Sequence, residues 1–242
     1  MKISDWCYTA LIAFGLLVDH FVIWSALLRR SQRDQPSARM WLWRAWMTLL
    51  WALVAIGMTL WLSNERAWAS LGITLPHGWR LWGSIFLVGG VALQQARTAA
   101  RIARISGPKP KLRAQLGKLS IVLPHTSAEV RWFVAVSLTA GFCEEFLFRG
   151  YLIWAFEPWL GWWGAAALSL LVFAAAHAYQ GKEGVIKSGL VGGVFTLLVA
   201  CSGSLVPVIV LHALVDITSG VIAWLVLRDE PAQAGLAGGA QA

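Results

Sequence analysis

Seven apolar runs, each near the length needed to cross a bilayer, constrain this chain more than any other feature. They cover residues 6–28, 41–62, 79–95, 132–156, 162–178, 188–201 and 205–227. A helix needs roughly 20 apolar residues to span the hydrocarbon core. Inside lipid every backbone N–H and C=O must find its partner within the protein, which leaves helices as the solution for runs of this length. The expected fold is therefore all-α, a polytopic transmembrane helix bundle of about seven spans. With 58% hydrophobic and 13% charged residues, the chain carries too little charge to cover a soluble domain of this size. Sixteen tryptophans suit helices anchored at the headgroup level, and membrane lipid is the first expected partner.

The formal net charge of +8 points to topology rather than to nucleic acid, and no nucleic-acid partner is expected. Lys and Arg collect in alternate loops, over 29–44, 97–131 and 182–187, and at Arg228. The other set of loops holds only Lys2, Arg66 and Arg80. Because cytoplasmic loops carry the excess of basic residues, the N-terminus is expected outside and the C-terminus inside. The first run is too long for the apolar core of a signal peptide and lacks a small-residue cleavage site, so it is expected to stay as a helix. Cys7, Cys143 and Cys201 show no C-x-x-C spacing, which argues against a disulfide framework or a thiolate zinc site. The setting expected is a multi-pass protein of a bacterial inner membrane. The oligomeric state is not legible.

Three regions follow: 1–128, N-terminal helices and a basic cytoplasmic loop; 129–228, a second helix bundle; and 229–242, an Ala/Gly/Gln-rich tail expected to be disordered. Within the basic loop, 112–123 could form a short surface helix. The sixth run is short, and Gly189, Gly192 and Gly193 suit close packing against a neighbouring helix.

The informative residues are charges inside apolar runs. A carboxylate or guanidinium at mid-membrane costs about 2.5–3.5 kcal/mol on insertion scales, yet the fourth run carries Glu144, Glu145 and Arg149. Glu145 and Arg149 stand at i, i+4 and share a helix face. Glu144 is rotated about 100° away and has no local cation. The fifth run ends with Phe173 and His177, and the seventh carries His212 and Asp216, again at i, i+4. A lone buried histidine is more often a packed residue than a catalyst. Several ionisable groups on separate spans have no such inexpensive explanation. Asp19 and His20 in the first run could face a cavity, but a packing role is the expected one, and His77 and His125 read as loop residues.

These residues resemble the CPBP family, the CAAX-protease and bacteriocin-processing membrane peptidases, related to type II CAAX endopeptidases. The matching motifs are E-E-x-x-x-R (Glu144, Glu145, Arg149), F-x-x-x-H (Phe173, His177) and H-x-x-x-D (His212, Asp216), in the family's order. The resemblance covers about 130–226. It implies an intramembrane endopeptidase acting on a peptide or protein substrate at the membrane. Glu144 and His177 would activate a water, and His212 with Asp216 would stabilise the oxyanion or orient the catalytic groups. Glu145, Arg149 and Phe173 would support the site.

The family's third motif ends in Asn or Asp, and this chain has Asp216, without the amide donor that members with Asn offer the oxyanion. An ionised Asp cannot donate a hydrogen bond, so Asp216 is either protonated, or it orients His212, or it ligates a metal. No cofactor is expected on the favoured glutamate mechanism. The alternative is Zn²⁺ held by Glu144, His177 and His212, an open two-His, one-carboxylate set. Other classes remain: an ion-coupled transporter, since buried acids and histidines also relay protons, or a non-catalytic membrane scaffold.

Overall fold

A computed structural model describes residues 2–107 and 109–228. The expected disordered tail lies outside the described residues. Every regular element among them is helical. Helix α1 runs Ile3–Ser31, α2 Gln35–Ser63, α3 Trp79–Ala103 and the short α4 Pro110–Leu116. Helix α5, Ser127–Glu144, continues through the turns Glu145–Leu152 into α6, Ile153–Ala176. Helices α7, Gly181–Ser202, and α8, Val206–Leu227, complete the bundle.

Local chemistry sets these boundaries. Asp34 caps α2 by accepting from Ser37 N–H at 3.3 Å and Ser37 Oγ at 2.5 Å, with Pro36 in the first turn. Proline suits that turn because its missing N–H would have no partner there. Thr126 and Glu129 form a reciprocal capping box at the start of α5. Gly161, at φ 64° and ψ 167°, breaks α6. Beyond it the chain folds back, so that Ser169 Oγ donates to the Phe148 carbonyl at 2.6 Å.

Five helical stretches are long and apolar enough to cross a membrane. The protein is accordingly an integral, multi-pass helix bundle. The difference from seven runs has two physical sources. The runs at 132–156 and 162–178 belong to one continuous stretch of 50 residues, Ser127–Ala176, turned back at Gly161. The run at 79–95 does form a helix, but Arg80, Gln94 and Gln95 dilute its hydropathy, and it is not among the five. The expected surface helix at 112–123 is instead α4 followed by a 3₁₀ turn at Gly117–Ile121.

Apolar side chains face outward where a soluble protein would place polar ones. Phe86, Leu171 and Leu190 are all more than two-thirds exposed. At one end of the bundle Arg66 grips Asp5 with two hydrogen bonds, at 2.7 and 2.8 Å. Its guanidinium lies over the Trp154 ring, and Tyr151 Oη donates to the Asp5 carbonyl. The start of α1 is thereby fastened to the α5–α6 stretch. Arg39 on α2 donates from Nε and Nη2 to Glu129 of α5 at 3.1 and 3.0 Å.

Candidate active site

Helix α5 packs more extensively on α8 than on any other element, and one glycine makes that approach possible. A Cβ on Gly141 would lie 2.9 Å from both the Cβ and the backbone nitrogen of Ala213. Without a side chain there the two backbones close up, as small residues permit in membrane bundles. Beside this contact stand Glu144 and Glu145 on α5 and His212 and Asp216 on α8.

Just beyond it the α5 stretch widens into a π-helical segment, Glu145–Leu152. Such segments recur at functional sites because they re-aim side chains within an otherwise regular helix. All eight residues of the segment are buried. Glu145 has no exposed surface. Its Oε1 accepts from Arg149 Nη1 at 3.0 Å and pairs with His212 Nδ1 at 2.7 Å. Oε2 is buried and has no partner among the described residues. The expected Glu145–Arg149 pair is present, and it has a second duty as the holder of His212.

Arg149 is fixed in turn. Nη2 donates to the Gly192 carbonyl at 3.2 Å, and the guanidinium stacks 4.1 Å from the centroid of Phe173. The glycine-rich stretch of α7 serves this contact. A Cβ on Gly192 would stand 2.8 Å from Arg149 Nη2 and 2.9 Å from Phe173. Phe173 also presents its backbone carbonyl to His177 Nδ1 at 2.8 Å. A carbonyl can only accept, so Nδ1 carries the proton and a neutral His177 keeps Nε2 as its basic nitrogen.

A cavity of about 280 Å³ receives the ends of this network. Glu144, His177, His212 and Asp216 all line it. The sequence positions of the two histidines suggest different depths in the membrane; the bundle nevertheless brings both to one cavity. Nε2 of His212 lies 3.6 Å from Asp216 and 4.0 Å from Glu144. Among the described residues no hydrogen bond or ion pair joins Glu144 directly to His177, although both line the same space. Glu144 keeps 19% of its side chain exposed and Asp216 37%, whereas Glu145 and Arg149 are sealed. The exposed carboxylates are thus the groups that can meet a ligand.

Geometry bears on the alternative zinc set. Among the described residues no three His, Cys, Asp or Glu side chains are gathered as a metal-binding group. Glu144, His177 and His212 as placed do not form one, and no step below is routed through a metal.

Two further contributors come from outside the three motifs. Asp19 sits in a second π-helical segment, Val18–Ile23 of α1. It lines the same cavity and accepts from Trp46 Nε1 at 2.5 Å. Tyr179, from the 3₁₀ turn after His177, lines it too. Read along the sequence, Asp19 looks like a packing residue. The signal that could have raised it is its charge inside an apolar run. His20 makes an edge-on ring contact with its neighbour Phe21.

Residues 126–218 match the family model described as Type II CAAX prenyl endopeptidase Rce1-like. The matched stretch contains every residue of the three motifs. No curated protein and no solved structure matches the chain.

Proposed function

We infer, from the Rce1-like CAAX endopeptidase match of residues 126–218, that this protein is an intramembrane endopeptidase in which Glu144 activates a water against a peptide bond. The family supports peptidase activity at a membrane and a peptide substrate there. One observation carries the finer reading: Glu144 and His177, on different helices, open onto one cavity beside a His212 that Glu145 and Arg149 hold in place.

Glu144 takes a proton from the water as its oxygen attacks the carbonyl carbon. His177 Nε2 accepts a hydrogen bond from the same water and orients it. The oxyanion that develops accepts from His212 Nε2–H, while Nδ1–H stays on Glu145. A donor held in advance where charge develops is worth far more in a water-poor site than in bulk solvent. Asp216 keeps the Nε2 proton directed into the cavity. Glu144 then returns its proton to the leaving amine, the usual double duty of a general acid–base group.

Leu119, Val122 and Leu123 from the basic segment line the cavity. If basic loops face the cytoplasm, the substrate enters from that side. By the same rule we place the start of α1 outside and the end of α8 inside, and we propose a bacterial inner membrane as the setting. Purified protein in lipid nanodiscs should hydrolyse membrane-tethered peptides, and Glu144→Ala should not. Equal rates for the two would remove Glu144 from the reaction. Activity that survives strong chelation separates the glutamate mechanism from zinc, and loss on chelation with recovery on Zn²⁺ would overturn it.

A further inference from the structure

Carboxylates outnumber cations on the cavity wall: His212, protonated on both nitrogens in the proposed reaction, faces three acids. Glu144, Asp216 and Asp19 line the cavity, and among the described residues no Lys or Arg does. The neighbouring cation, Arg149, is spent on Glu145 and on the Gly192 carbonyl, and the imidazoles of His177 and His212 stand beside the three acids. Three carboxylates in an apolar bundle without a Lys or Arg in their lining are expensive to keep.

Asp19 is the one of the three that the proposed hydrolysis does not use. Its Oδ1 is held by Trp46 Nε1, and Oδ2 accepts no hydrogen bond among the described residues. Two aromatic rings, Trp46 and Tyr179, line the cavity with it. The ring of Trp46 lies 5.7 Å from that of Tyr179, tilted at 51°. Tyr179 is backed by Trp24 at 4.9 Å and stacks on His177 at 6.1 Å. Its phenol oxygen is fixed by Gln180 Nε2 at 3.0 Å. A carboxylate oxygen left free in a cavity that two aromatic rings also line can recognise an ammonium or guanidinium group, by charge and by the ring quadrupole together.

We propose that Asp19, Trp46 and Tyr179 form a subsite for a basic side chain, Lys or Arg, of the substrate peptide, close to the scissile bond. Asp19 is then a specificity-determining residue supplied by α1, outside the matched stretch. The assignment to a substrate residue rests on the peptidase reading; the preference of the cavity for a cation does not. His177 links the two, because it lines the same cavity as Glu144 and stacks on Tyr179.

The test uses the full chain in nanodiscs and pairs of short fluorescent peptides that differ only in Lys against norleucine at one position, with the position scanned. Binding is measured by anisotropy on a Glu144→Gln background, and cleavage on the Glu144 protein. Wild type should favour Lys at one position, and Asp19→Asn should reduce that preference by about thirtyfold, the scale of removing one partner of a desolvated charged pair. Asn can still accept from Trp46, so the fold is spared, and Asp19→Glu should restore part of the preference. Cleavage with no preference for Lys overturns the subsite and leaves the peptidase reading standing. A preference that Asp19→Asn leaves intact overturns Asp19 as its source. Binding preference without any cleavage supports the cation site and overturns the peptidase reading.

Discussion

Two of the buried ion pairs among the described residues, Arg39–Glu129 and Glu145–Arg149, differ in what lies beyond them. Arg39–Glu129 joins α2 to the start of α5, with side chains 3% and 9% exposed. Glu145–Arg149 is sealed in the same way, at 0% and 1%. Burial and distance hardly distinguish them. Glu129, however, spends its second oxygen on the backbone N–H groups of His125 and Thr126; its network ends in a helix cap. Glu145 passes its charge to His212, whose outer nitrogen faces Glu144 and Asp216 on the cavity wall. A buried charge in a membrane bundle is thus ambiguous alone. Its continuation decides the reading, toward backbone for a brace and toward a cavity for chemistry.

The sharpest way to break this contrast is at the cavity end. Glu144→Gln removes the group that moves the proton while keeping its shape. A fall in kcat of at least about 10³-fold is expected, within the range assigned to positioned acid–base groups. Thermal unfolding in detergent should barely change, since Glu144 holds up no sealed contact. A loss of activity accompanied by unfolding would instead make Glu144 a brace like Glu129.

Next is the sealed end of the same network. Arg149→Met leaves Glu145 buried with only His212 for a partner, and breaking such a pair costs about 3–5 kcal/mol. Stability in a denaturant titration and kcat should fall together, because His212 loses its anchor. Stability that falls without kcat would place Arg149 outside the mechanism.

Smaller still is the effect of crowding that anchor from outside. Gly192→Ala puts a methyl 2.8 Å from Arg149 Nη2 and 2.9 Å from Phe173 and Leu170. Overpacking of this kind costs about 1–3 kcal/mol. The expected signature is a moderate loss of kcat with KM little changed, read from steady-state kinetics on a tethered peptide. Unchanged kcat would show that the network tolerates displacement.

How much of this was legible in the sequence follows the same divide. The helical class and the Glu145–Arg149 pair are readable, because apolar run length and i, i+4 spacing act locally; the grouping of Glu144, His177, His212 and Asp216 follows only from charges on separate apolar runs and from the motif resemblance. Four things were not readable. The fold-back at Gly161 rests on a backbone angle that a single glycine among apolar residues does not announce. The two π-helical segments change the pitch within continuous apolar helix, leaving no mark in composition. Asp19 joins the site only through packing of α1 on α2 and of α2 on α5, long-range contacts with no periodic trace. The Arg39–Glu129 pair was hidden for the same reason, its members being 90 positions apart.

That last pair gives the smallest effect and the cleanest control. Arg39→Met combined with Glu129→Gln removes both charges together, so neither is left buried alone. Replacing a whole buried pair is often neutral, unlike breaking one. The amide oxygen that Glu129→Gln introduces can still accept from the cap N–H groups, the reciprocal role glutamine shares with glutamate in a capping box. A change in stability of about 1 kcal/mol or less is expected, with kcat/KM within about twofold of wild type, the spread ordinary for substitutions away from a site. Arg39→Met alone should cost several times more, because Glu129 is then buried and unpaired. If the double substitution instead abolished cleavage while the protein stayed folded, the brace would be coupled to the cavity after all. The distinction between the two pairs would then rest on strength of coupling rather than on where each network ends.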